Sequence, residues 1–340
     1  MTSQQIQKAI TTSQYTLPVA IILSIVFWSV SLVLLPDFPE KEVSYPIWSK
    51  ILEYCFPLWL DKVVCLILYF IIGYFLSAFN NQFGLTRMRI ALSASLFFLF
   101  LSAWPGSYVL CAGDIATFAF LFSVYYLFES YQQHKSSGYL FHSALFTGIG
   151  SLFYPQLTYF IPVLIIGAYS FRSLNIRSFF ALLIGWSVPY WFLFGYAFPA
   201  QKMDLFYQPF IELINFQSVR FDYFQVWELV TLGYTFSLCI ISAVHSYITS
   251  FRDKIRTRLY IRFFILLNAC IFLFIFLQPA QYVNLLPLLL VGTSILVGHL
   301  YVLSNSETAA GFFIISMIIS LSLFGLNMWM LLSDFKLTLT

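Results

Sequence analysis

Charged residues are spaced so widely along this chain that the intervals between them read almost directly as membrane spans. Uncharged runs cover residues 9–36, 63–86, 90–113, 115–128, 136–171, 178–201, 229–251, 263–306 and 308–333. A helix needs roughly 20 apolar residues to cross hydrocarbon. Two of the nine runs, at 36 and 44 residues, are long enough to fold back once each, so eleven transmembrane helices are predicted. Backbone amides cannot stay unpaired in lipid, and runs that are apolar at successive positions exclude the alternating strands of a barrel. The predicted fold class is therefore all-α, a polytopic membrane helical bundle of about eleven transmembrane helices forming one domain over residues 1–340.

Composition agrees with the pattern. The chain is 60% apolar, 21% aromatic and only 9% charged, where soluble domains carry about 25% charged residues. The first 15 residues are polar with Lys8 as their only charge, and no small-residue cleavage site follows, so residues 16–35 read as a retained first span rather than a signal peptide. Five cysteines, Cys55, Cys65, Cys111, Cys239 and Cys270, form no CxxC pair and no His/Cys cluster of metal-ligand spacing, so no metal and no cofactor is predicted. Only Cys55 and Cys111 are expected near the same face.

Eleven spans place the termini on opposite sides, and charge then decides between the two orientations. With the N-terminus in the cytoplasm, the inner loops hold eleven Lys and Arg against three acids, and the outer loops hold six against eleven acids. Basic residues favour the cytoplasmic side, and FRDKIRTRLYIR at 251–262 is the strongest single anchor. The expected location is the cell inner membrane, with a periplasmic C-terminus. No nucleic-acid motif is present, so the basic segment is read as a topology anchor.

The outer loops 36–62 and 199–228 are the only long ones and carry most of the acids together with Trp48, Trp59, Tyr207 and Trp227. Their mixed apolar and charged spacing predicts amphipathic helices over 45–60 and 203–216, lying in the outer interface. Breaks inside the longest runs fall on the same side: Pro155 and Pro162 in SLFYPQLTYFIP, the hairpin at LQPAQYVNLLP, and the tight turn WPGSYVLCAGD. Polar groups at membrane depth usually face an interior or a wet cavity, so an outer pocket is expected, lined by Asp37, Asp114, Tyr154, Gln156, Gln281 and Tyr282. The bland alternative is that these residues only end helices, and Asp114 after Gly113 equally suits a helix start. The inner end reads as plain. His142, His245 and His299 are expected to be hydrogen-bonded packing residues. No intramembrane ladder of charges supports an ion-coupled transporter, and no phosphate loop or HExxH supports a pump or metalloprotease.

Residues 148–198, with a glycine-rich short span, a proline turn, the inner loop FRSLNIRSF and the span GWSVPYWF, and residues 277–304, which begin LQPAQYVNLLP, resemble a family of multi-pass inner-membrane proteins from bacteria with an outer membrane. That resemblance covers about a third of the chain and implies location rather than activity. The acidic loop DFPEKE after span 1, a second acid after span 3 and the long outer loop near mid-chain are similar to the GT-C glycosyltransferases, which take a sugar from a polyprenyl-phosphate donor at the outer face. The likeness implies Asp37, Glu40 or Glu42 as catalytic acid or base, Asp114 as second acid, and Arg220 or Lys202 on the donor phosphate. The chain departs from that pattern in being short, in lacking a soluble outer domain and in spacing its loop acids three and two apart. Three functions follow as expectations: a non-catalytic component of envelope lipid or glycan assembly, a GT-C-like transferase, or a lipid or glycan transporter. Membrane lipids, a polyprenyl phosphate or glycan, and envelope proteins are the expected partners.

Overall fold

The computed structural model describes residues 3–13, 15–34, 45, 47–48, 58–86, 91–216, 219, 223–304 and 306–338. Among these residues all regular structure is helical. The helices are α1 (Ser3–Thr12), α2 (Thr16–Leu34), α3 (Leu58–Phe83), α4 (Leu92–Ser102), α5 (Ala112–Glu129), α6 (Ser137–Phe153), α7 (Ile161–Ser170), α8 (Ile176–Ala197), α9 (Asp204–Ile214), α10 (Val226–Thr249), α11 (Ile255–Leu277), α12 (Tyr282–Leu303) and α13 (Glu307–Thr338). Six of them, α3, α8, α10, α11, α12 and α13, are long and apolar enough to cross a membrane, and α1 with α2 adds a seventh if that bent pair is one span. Each of the eleven segments read as a span, from the nine uncharged runs, coincides with a helix. α4, α5, α6 and α7 are the shorter or less apolar ones, so the count of eleven is not shown by length and composition.

The chain turns at prolines on one end of the bundle, here called upper, through short 3-10 turns at Pro105–Tyr108, Pro155–Phe160 and Pro279–Gln281. Proline suits the first position of such turns because it has no N–H to satisfy. The lower end holds the 130–136, 171–175, 250–254 and 304–306 connections. α12 runs through the middle: 94% of its most apolar window is buried. A helix apolar on every side belongs in a core, and α12 packs on α4, α5, α10 and α11.

Small residues set how closely the helices approach, as expected where packing rather than water drives association. α6 and α8 make the most extensive helix pair. At their crossing a Cβ on Gly185 would lie 2.3 Å from the Phe141 carbonyl oxygen. At the lower end a knot of rings ties α3, α5, α7 and α11 together. Tyr260 stacks on Phe128 at 4.0 Å between centroids and donates to the Phe128 carbonyl. The Arg256 guanidinium lies 5.4–5.7 Å from the ring centres of Phe83, Tyr131 and Tyr260. The segment read as a charge anchor therefore also packs.

The expected interfacial helix at 203–216 is present as α9. It rests on α8 and the 155–160 turn through Leu205 and Pro209, while Tyr207, Ile211 and Ile214 form an exposed apolar stripe. The helix expected over 45–60 falls largely outside the described residues; of it, Tyr45 and Trp48 are buried against the core.

Candidate functional site

The upper end gathers five of the residues singled out in sequence. Asp114 opens the first turn of α5, where its Oδ2 accepts the backbone N–H of Cys111 at 2.8 Å. Its Oδ1 accepts the hydroxyl of Tyr69, from α3, at 2.7 Å. The carboxylate is wholly buried. One residue earlier, the Gly113 N–H donates to Asn284 Oδ1 of α12 at 3.1 Å. Tyr45 donates to Gln281 Oε1 at 2.5 Å, stands edge-on to Tyr154 at 5.6 Å and lies beside Gln156. Burial pushes the Tyr45 phenol well above its ordinary value, so it stays a neutral donor. Tyr282 donates to the carboxylate of Glu228.

Glu228 repeats the arrangement of Asp114. It sits in the first turn of α10, its Oε2 accepts the Gln225 N–H at 3.0 Å, and its Oε1 takes a tyrosine hydroxyl from another helix. Both acids close the N-terminus of one helix and pin it to a neighbour. An acid near a helix N-terminus satisfies orphan N–H groups and meets the positive end of the dipole. Around Glu228, Trp104 lies 6.5 Å from Trp227 and 6.3 Å from Tyr282, and Asn327 of α13 donates to the Ala103 carbonyl and to Thr231.

Sequence reasoning had placed Asp61 and Glu228 only in a count of outer charges. Asp61, in the first turn of α3, is 6% exposed and its Oδ1 has no hydrogen-bond partner among the described residues; the Tyr154 hydroxyl and Gln156 Oε1 are likewise buried without one. The signal available was positional: each acid stands in the first turn of a helix, Glu228 three after Gln225 and Asp61 three after Leu58.

Of the remaining site candidates only Lys202 lies among the described residues, and it is not brought into this network. Lys202 is exposed in the turn between α8 and α9. Asp37, Glu40, Glu42, Arg220 and Cys55 lie outside the described residues. Cys111 is unpaired.

The lower end is not plain. His299 Nε2 lies 3.0 Å from Asp253 Oδ2, and its Nδ1 lies 3.4 Å from Ser246 Oγ, so α10, α12 and the 250–254 connection share one buried polar chain. The order acid, imidazole, hydroxyl matches a hydrolase relay, but His299 and Ser246 are 2% and 6% exposed and leave no room for a substrate. Its consequence is to hold the basic connection against α12. His142 bonds its own helix at Gly138 and stacks on Tyr126 at 5.1 Å.

Comparison of the chain with protein-family models, with curated proteins and with solved structures returns no match.

Proposed function

We propose that the chain is a non-catalytic component of the machinery that assembles lipids or glycans of the cell envelope. It sits in the inner membrane by eleven spans, N-terminus in the cytoplasm, with the upper end described above facing outward. The observation that carries this reading is the use made of Asp114 and Glu228: each buried carboxylate already accepts one backbone N–H and one tyrosine hydroxyl. A general base needs a free oxygen within reach of the proton it takes. These two acids serve instead as pins that make the upper end rigid. The exposed Tyr207, Ile211 and Ile214 stripe of α9 beside that end suits the lipid interface or an apolar partner segment.

The experiment is affinity purification of the tagged chain from membranes in mild detergent with quantification of what comes with it. A stoichiometric set of envelope proteins supports the component reading, and a chain recovered alone from growing cells speaks against it.

A second reading, the GT-C-like transferase, is favoured by buried polar atoms at the upper end that have no hydrogen-bond partner among the described residues, on Asp61, Tyr154, Gln156 and Thr158. In it Asp37 or Glu40 acts on an acceptor hydroxyl, and Arg220 or Lys202 holds a polyprenyl-phosphate donor. Loss of envelope glycan on Asp37→Asn, at normal protein level, is the result that supports it.

A further inference from the structure

At the lower end, far from the network of Asp114 and Glu228, α10, α12 and α13 enclose a crevice of about 630 Å3. That size falls within the range of about 300–1,000 Å3 typical of ligand pockets. Its walls are apolar, built by Leu300 and Leu303 of α12 and Phe312 of α13. Its mouth is polar, built by His245, Ser304, Ser306 and Thr308, and among the described residues that line it there is no Lys or Arg. Such a lining fits an amphiphile: a long apolar part within and a hydrogen-bonding head at the helix ends.

Hydrogen counting shows what the head must offer. Ser304 Oγ donates its one hydrogen to the Leu300 carbonyl at 2.7 Å, so at the 3.4 Å contact with His245 Nε2 the imidazole is the donor. Ser306 Oγ accepts the Ala309 N–H at 3.2 Å and stands 3.0 Å from Thr308 Oγ1. One hydrogen bridges these two hydroxyls, and the second is left to point outward. That is a donor for a phosphate or ester oxygen. Between them in sequence stands Glu307, exposed at the first turn of α13. An acid adjacent in sequence to both mouth hydroxyls, with no Lys or Arg among the described lining residues, favours a head that carries a cation as well as a phosphate. A primary ammonium can donate to Glu307; a quaternary one has no hydrogen to give, and a head with only negative charge would be repelled.

We propose that this crevice is a binding site for one phospholipid with a primary-ammonium head group, its phosphate on the Ser306 and Thr308 hydroxyls and its ammonium on Glu307. The site is independent of the function proposed for the upper end.

The test is native mass spectrometry of the full chain, delipidated in detergent and then supplied with phosphatidylethanolamine, phosphatidylglycerol or phosphatidylcholine. One ethanolamine lipid should remain bound under activation that strips the other two, with a preference of about tenfold, the scale of one charge-assisted hydrogen bond. Ala309→Phe fills the crevice and should abolish retention. Gly311→Leu, on the same helix but with open space at its Cβ position, should retain the lipid as the wild type does. Glu307→Gln should bring ethanolamine and glycerol lipids to parity at an unchanged melting temperature. Equal retention of the three lipids by the wild type, or full retention by Ala309→Phe, overturns the proposal. Should Ala309→Phe fail to fold, Thr308→Val decides: weaker retention of the ethanolamine lipid than by the wild type supports the site, and unchanged retention overturns it.

Discussion

Gly113→Ala strikes the point where α5 meets the central helix. A Cβ at residue 113 would lie 1.9 Å from the Asn284 carbonyl oxygen and 2.4 Å from the adjoining carbonyl carbon. A carbon next to a carbonyl oxygen normally keeps about 3.3 Å, so α5 and α12 must part by more than about 1 Å. The obstacle is backbone, and no rotamer change removes it. Overpacking of this kind costs about 1–3 kcal/mol. The same separation stretches the Gly113–Asn284 and Tyr69–Asp114 hydrogen bonds, and a buried polar group that loses its partner costs about 1–3 kcal/mol more. Alanine returns about 1 kcal/mol through helix propensity. The net expected loss is about 3 kcal/mol, read as the shift in unfolding free energy in mixed detergent–SDS micelles. Gly233→Ala, inside α10 with nothing within 4 Å of the added Cβ, serves as the reference and should gain about 1 kcal/mol through helix propensity alone. If Gly113→Ala unfolds with the same energy as Gly233→Ala, the close α5–α12 contact and the network built on it are wrong.

Other outcomes follow from the same packing. A double-mutant cycle of Glu228→Gln with Tyr282→Phe should give a coupling of about 1.5–3 kcal/mol for the charge-assisted bond; a coupling near zero contradicts the pin. His299→Phe strips a partner from buried Asp253 and should speed tryptic cleavage at Lys254, while unchanged cleavage rates would show that His299 does not hold that connection. Arg256→Ala should lower stability by about 0.5–1 kcal/mol, the exposed cation–π range, with Arg256→Lys losing less; equal stability of all three would remove its packing role. In intact spheroplasts an impermeant maleimide should label Lys202→Cys and spare Lys254→Cys, both exposed positions; the reverse pattern inverts the orientation.

Much of the fold was readable because lipid permits few choices. Uncharged runs marked every helix later seen at their positions, and prolines 105, 155 and 279 marked the upper turns. Amphipathic spacing located α9. What pattern reading could not supply was the partner of each polar side chain. Asp114 looked equally like a pocket acid and a helix start, and only the position of Tyr69, 45 residues earlier, shows that both its oxygens are engaged. Tyr154, Gln156, Gln281 and Tyr282 do converge, but as buried members of a packed network. The lower end was read as plain because its charges form a topology anchor; the Asp253–His299–Ser246 chain and the crevice beside α13 depend on helix neighbours that no local pattern reveals.

The central proposal is that no acid of the upper end performs chemistry, Asp114 and Glu228 serving instead to hold structure. Its most direct test is complementation of a deletion strain by Asp37→Asn, Glu40→Gln and Asp114→Asn, each expressed to wild-type protein level, with the envelope lipid and glycan profile as readout. Restoration of the full profile by all three is the predicted result. A variant that accumulates normally and melts normally, yet leaves the profile as defective as the deletion, would contradict the account.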